Sequence, residues 1–333
     1  MSSASVSTAL LLATLPSFYL PSDDQSPPAF LAPVIHAASG VAKKRLIIVL
    51  FSLFLNKNPT VINNNEHFQG VQRLLTYIYV QAMREENTPL DVDVILRGLD
   101  EELNLSLDEE KEGQVDIIYR VSGDSILVPL PTALLALPQV FVDPVEGNSQ
   151  SASFREPQPL PTNPDTPSMF PVTALGGTFD HLHSGHKILL SMGAFITSRK
   201  IIVGITHPDL LVRKAHASLI ESLETRIEKV QRFLQRFKPE LEEYDIVPIK
   251  DVYGPTASDP DIQALVVSKE TVRGAEDIAK LRASKSLPPL KTFVIDVISN
   301  NSSNLDDSDQ ERLKKTKMSS TAFREWLAQN NKV

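Results

Sequence analysis

Ala174-Leu-Gly-Gly-Thr-Phe-Asp-His-Leu-His-Ser-Gly-His-Lys187 is the stretch that decides how this chain folds. The apolar run Val172–Leu175 leads into it and reads as a buried strand. Behind it, apolar residues at 188, 189, 192, 195 and 196 recur at helical spacing, so Lys187–Arg199 reads as a helix. Between them a loop runs from Gly176-Gly177 to Gly185, and the helix opens at His186. Glycines at a strand end let the backbone turn sharply and let an anion approach its N–H groups. A helix N-terminus adds free N–H donors and a positive dipole end. His183 and His186, three apart, can both meet one phosphate. Five of the seven histidines fall between His181 and His216, more than packing asks for. A metal reading would join the two histidines to Asp180 for zinc or iron. His183 stands in the loop or at the helix start rather than on an established helical face, which favours phosphate recognition over a metal. The glycine spacing is not the dinucleotide fingerprint, and no Gly-x-x-x-x-Gly-Lys-Ser/Thr loop occurs.

Outward from this stretch the pattern repeats. Ile201–Ile205, Ile246–Ile249, Ala264–Val267 and Phe293–Ile298 are short β-rich apolar runs, and Ser222–Phe237 carries Leu223, Ile227, Val230, Phe233 and Leu234 on one helical stripe. Strands alternating with helices predict a parallel α/β sheet covered on both faces, with ligands at the carboxyl ends of its strands. Near the C-terminus stands Lys317-Met-Ser-Ser-Thr-Ala-Phe-Arg324. Ser319, Ser320 and Thr321 precede a helical run, Ala322–Ala328, so their hydroxyls and N–H groups can face an anion, while Lys317 and Arg324 supply charge.

Two Pro-rich stretches punctuate the chain, Pro21–Pro33 and Pro144–Pro171, the second with seven of the 24 prolines. The second reads as a linker. The expected layout is an N-terminal region over 1–143 of no assigned role, a linker over 144–170 and a catalytic domain over 171–333. In the first region Leu46–Phe51, Val92–Ile95, Asp116–Val121, Ile126–Val128 and Val140–Val142 read as strands and Phe68–Met83 as an amphipathic helix, a separate and less regular α/β or α+β region. His67 reads as a surface residue at that helix start, and Asp108–Glu112 as a solvated face.

Of the 333 residues 42% are hydrophobic and 22% charged, ordinary for a globular chain, which sets aside disorder and fibrous classes. A net charge of -8 offers no basic coat for nucleic acid. The absence of cysteine rules out disulfides, Cys-ligated zinc, iron–sulfur clusters and a cysteine nucleophile, and fits a reducing compartment. The longest apolar run, Leu46–Leu55, is about half the roughly 20 residues of a membrane span. Ser7–Leu15 is apolar but lacks the basic start of a leader. The expectation is a cytoplasmic protein, with a nuclear share open, and no membrane or nucleic-acid partner.

Gly-Thr-Phe-Asp followed by His-x-Gly-His resembles the signature of the nucleotidyltransferase superfamily, and Ser-Ser-Thr-x-x-Arg is similar to that superfamily's second, ATP-polyphosphate-binding motif. Together with Val266-Val-Ser-Lys-Glu-Thr-Val-Arg-Gly274, they resemble the eukaryotic, particularly fungal, pantetheine-phosphate adenylyltransferases over about residues 172–328. The resemblance implies a Rossmann-like domain that joins ATP and 4′-phosphopantetheine, giving dephospho-CoA and pyrophosphate, with Mg²⁺ carried mainly by ATP. It implies His183, His186 and Lys214 as catalytic residues, with Arg213 the alternative to Lys214. Gly176, Gly177, Thr178, Phe179, Asp180, Lys317, Ser319, Ser320, Thr321 and Arg324 become substrate-binding candidates, with Ser268, Glu270, Thr271 and Arg273 beside them. A related adenylyl- or cytidylyltransferase with another acceptor, or a non-catalytic scaffold, would carry the same motifs. The N-terminal region is then a candidate docking surface for other enzymes of coenzyme A synthesis.

Overall fold

A computed structural model describes residues 5–16, 27–57, 64–84, 90–105, 114–144, 168–295 and 319–330. The chain divides into two compact units, one within its first 166 residues together with 303–316, the other comprising 167–302 and 317–333. Most of the expected linker lies outside the described residues. At its far end Phe170 and Pro171 are already in a strand.

The first unit holds β1 (Val6–Thr14), α1 (Ala32–Val41), β2 (Ala42–Ser52), α2 (Phe68–Gln81), β3 (Asp91–Gly98), β4 (Ile117–Val121), the one-turn α3 (Thr132–Leu135) and β5 (Gln139–Val142). Its five strands are all parallel, in the order β3-β2-β1-β4-β5. Leu10 of β1 lies opposite Ile47 and Ile118, so the centre of the sheet is apolar on both faces. Leu10, Leu12, Ile47, Val49, Phe51 and Ile118 form one buried cluster. The region is therefore a separate α/β unit with a parallel sheet of its own. The apolar stretch weighed only as a leader, Ser7–Leu15, is its central strand. Ile126–Val128 forms no strand; Val128 and Ile126 instead fill the core edge as irregular chain. His67 is the N-cap of α2 but is buried rather than on the surface. The acidic run at 108–112 lies outside the described residues.

The second unit holds β6 (Phe170–Gly177), α4 (Ser184–Phe195), β7 (Thr197–Thr206), α5 (Leu223–Phe237), β8 (Glu243–Ile249), β9 (Ala264–Ser268), α6 (Val272–Ser284), β10 (Lys291–Ile295) and α7 (Ser320–Asn330). All five expected strands form, although residues 296–298 of the last lie outside the described residues. The expected helix over Lys187–Arg199 stops at Phe195, and Thr197–Arg199 begin the next strand. The sheet order is β10-β9-β6-β7-β8, all parallel. Counted within each unit, both sheets run third, second, first, fourth, fifth. In this one the order reverses between β6 and β9, so the crevice lies outside the carboxyl end of β6, at Gly176-Gly177. A Cβ on Gly193 would stand 2.3 Å from Leu175 Cδ2, so the glycine lets α4 lie close on the sheet and fixes where its N-terminus points.

Candidate active site

The turn after β6 is tightly specified. Phe179 and His181 both have positive φ, 51° and 45°, a left-handed backbone that costs such residues about 1–3 kcal/mol each unless the surroundings hold it. Four contacts do so. Phe179 is fully buried, with its ring 5.2 Å from that of His186. Asp180 is also fully buried and accepts from the backbone N–H of Glu221 at 2.9 Å. The His181 N–H donates to Glu221 Oε2 at 2.9 Å, and its ring stacks on Phe323 at 4.6 Å. The chain then enters α4 with His183 as N-cap in extended conformation.

His183 and His186 stack with ring centroids 3.9 Å apart. Both residues are half-buried, and both Nδ1 atoms are buried and make no hydrogen bond. Burial, with Lys187 nearby, pushes the His183 imidazole down to about 4. Burial, with His183 and Lys214, pushes His186 well below the ordinary histidine value. Both are neutral at pH 7, set at the positive end of a helix dipole. A pair of neutral rings with unused nitrogens at a helix N-terminus is an arrangement that an anion completes.

Lys214, on the exposed loop after β7, donates from Nζ to Thr178 Oγ1 at 3.1 Å. Partial burial and the nearby Arg324 hold its ammonium below its usual value. Thus Thr178, His183, His186 and Lys214 come together, as the sequence predicted. Arg213 beside Lys214 is exposed.

The C-terminal motif meets the same turn. Arg324, 2% exposed, donates from Nη1 to Asp180 Oδ2 at 2.5 Å, from Nε to the Ala215 carbonyl at 3.0 Å and from Nη2 to Thr321 Oγ1 at 3.2 Å. Ser320 Oγ donates to the Asp180 carbonyl at 2.8 Å, and Ser319 Oγ caps α7 by accepting from the Ala322 N–H. Lys317 lies outside the described residues. Ser268 and Thr271 form a capping box between β9 and α6, and Glu270 and Arg273 are exposed on that helix start. Their hydrogen bonds serve the helix start itself rather than the turn after β6.

Sequence reasoning missed Arg226. It is fully buried and donates to the carbonyls of Thr178 (2.8 Å), Thr206 (2.9 Å) and Glu221 (3.1 Å). A signal was present: 226, 230, 233 and 237 share one helical face, so Arg226 falls on the apolar stripe of α5 where a charge has no ordinary reason to be.

A resident metal does not fit. Among the described residues Asp180, His181 and Glu221 place ligand atoms within 4.8 Å of one another. Every one of those groups is taken. Asp180 is paired with Arg324 and the Glu221 N–H, Glu221 with Lys229 and the His181 N–H, and His181 Nε2 bonds the Leu219 carbonyl.

Residues 174–326 match the cytidylyltransferase-like family. The chain is 50% identical to a phosphopantetheine adenylyltransferase of Saccharomyces cerevisiae over 135 residues, 40% of this chain and 44% of that protein. It is 39% identical to a phosphopantetheine adenylyltransferase of Methanopyrus kandleri over 126 residues, 38% of this chain and 78% of that protein. A solved structure of a protein of unknown function from Archaeoglobus fulgidus matches at 31% identity and a TM-score of 0.32, over 37% of this chain and 88% of that one. The match thus spans most of the archaeal relative but less than half of the yeast one. No helix among the described residues is long and apolar enough to cross a membrane.

Proposed function

The chain belongs to the phosphopantetheine adenylyltransferase family, and from that premise we propose that it transfers AMP from ATP to 4′-phosphopantetheine, giving dephospho-CoA and pyrophosphate in coenzyme A synthesis. The observation that carries this reading is the neutral, stacked His183–His186 pair at the N-terminus of α4, with Lys214 on Thr178 opposite.

The acceptor phosphate is already an anion, so the step needs no strong base. One of its oxygens attacks the α-phosphorus of ATP, the new P–O bond forms as the bond to the bridging oxygen of pyrophosphate breaks, and the electron pair leaves with pyrophosphate. What the protein must supply is alignment and stabilisation of charge on the α-phosphoryl oxygens. His186 donates to those oxygens, with His183 beside it. A neutral imidazole still carries one N–H with which to donate. Thr178 and Lys214 receive the acceptor phosphate at the crevice mouth. Gly176 and Gly177, without side chains, let it approach the end of the strand. Ser319, Ser320 and Thr321 lie along the departing pyrophosphate. ATP enters as its Mg²⁺ complex, the ion being held by polyphosphate oxygens and water as part of the substrate. A chain without cysteine suits the reducing cytoplasm, where we place the reaction.

Pyrophosphate release, measured with ATP or CTP against a panel of phosphorylated acceptors, tests the reading. Release with ATP and 4′-phosphopantetheine alone is the expected result. Release with CTP, or with a mononucleotide as acceptor, would reassign the chain within the superfamily.

A further inference from the structure

Arg226 is a full positive charge enclosed in the protein, with no counter-ion in contact among the described residues. Its three hydrogen bonds all go to carbonyls, those of Thr178, Thr206 and Glu221. Its Nη2 is buried and makes no hydrogen bond. Asp180, Glu221 and Glu224 act on it only at longer range, and burial outweighs them. The nearest buried carboxylate, Asp180, is already held by Arg324 at 2.5 Å. Lys229 likewise pairs with Glu221.

Leaving a buried charge unpaired costs several kcal/mol, so its retention needs a reason. Its location gives one. The guanidinium ties the Thr178 carbonyl to that of Thr206, joining the turn after β6 to the end of β7. Thr178 in turn carries Lys214 on its hydroxyl. Lys214, Arg226 and Arg324 therefore converge on one turn whose carboxylates are already engaged, Asp180 by Arg324 and Glu221 by Lys229 and the His181 N–H. Charge of one sign focused in a crevice of low dielectric attracts an opposite charge strongly.

We propose that Arg226 is a positioning residue for the transfer reaction: through the Thr178 and Thr206 carbonyls it sets the phosphate-binding turn, and its unpaired charge is balanced only when a polyphosphate arrives. This rests on the adenylyl-transfer reading of the site. It separates two roles that different substitutions address. The charge should govern polyphosphate affinity, and the planar fork should govern turnover.

The test uses the full-length protein and inorganic pyrophosphate as the probe, with Arg226→Met and Arg226→Lys. Methionine has a similar reach without charge, and it leaves the Thr178, Thr206 and Glu221 carbonyls without their donor, which lowers stability. Calorimetric titration is expected to show pyrophosphate binding weakened about tenfold or more by Arg226→Met, with the Lys214 ammonium titrating higher once its like-charged neighbour is gone. Arg226→Lys is expected to keep pyrophosphate affinity within about threefold, yet to lower kcat about tenfold, since one ammonium on a flexible stem does not reproduce the fork. Wild-type affinity in Arg226→Met, or equal weakening in both variants, would overturn the proposal. Should Arg226→Met fail to fold, Arg226→Lys decides alone: a tenfold loss of pyrophosphate affinity there contradicts the role of charge, and retained affinity with lowered kcat supports it. If the pyrophosphate results hold while no dephospho-CoA forms, the acceptor assignment fails and the role of Arg226 stands.

Discussion

Arg324 Nη1 lies 2.5 Å from Asp180 Oδ2, both side chains being enclosed, so the helix at the end of the chain is pinned to a turn 144 residues earlier. The pair joins the two sequence motifs directly.

Removing one partner of such a pair leaves the other charged and buried, which costs about 3–5 kcal/mol. Arg324→Ala should therefore lower unfolding free energy by about that amount in urea. Arg324→Lys should recover part of it, because lysine restores charge but not the bonds to Ala215 and Thr321. An Ala variant as stable as wild type would mean that the contact contributes nothing in solution.

The histidine pair gives a pH dependence with a definite sign. His183 titrates near 4 in the fold against an ordinary value of 6.5. Between those values the unfolded chain binds the proton and the fold does not. The pair's contribution to stability is thus complete above about pH 6.5 and falls as pH drops through 6.5 toward 4. NMR titration of the imidazole Cε1–H should show no inflection near 6.5 for either ring in the free protein. Pyrophosphate should move both midpoints upward, since a bound anion favours imidazolium. An unshifted titration in the free protein would remove burial as the cause.

Gly254 has φ +51°, and a Cβ there would stand 2.7 Å from Ile249 Cγ2. Gly254→Ala should destabilise the second unit by about 1–2 kcal/mol from the left-handed backbone alone, with overpacking against Ile249 added. A denaturation midpoint unchanged from wild type would argue against this placement of the loop.

The alternation of strands and helices was legible because each parallel strand is apolar on both faces and each helix is amphipathic. What escaped reading did so for local reasons. The central strand β1 does not read as a strand because nothing polar alternates along its apolar run. In α1, Pro33 occupies the second helical position, where it is tolerated, but a Pro-rich stretch around it disguised the start. The His183–His186 site was legible from spacing alone, as both residues lie within one turn of one helix start. The Asp180–Arg324 pair and the ties of Arg226 to Thr178 and Thr206 were not, because each joins residues 20 to 144 positions apart and no periodicity records such contacts.

If the two units are independent modules, residues 168–333 alone should fold and carry the transfer activity, since both motifs and a five-stranded sheet lie within the second unit's span. Circular dichroism and turnover of that fragment check this. An insoluble or inert fragment beside an active full-length chain would show that the first unit completes the fold or the site.

The most direct test is the rate of dephospho-CoA formation from ATP and 4′-phosphopantetheine, followed by mass spectrometry, in wild type and in His186→Ala, with ATP affinity measured in parallel. The account expects product from wild type, a kcat lower by about 10²–10³ in the variant, the scale for losing one preorganised donor, and ATP affinity nearly unchanged. A wild-type protein that makes no dephospho-CoA, or a variant that makes it at the wild-type rate, would contradict it.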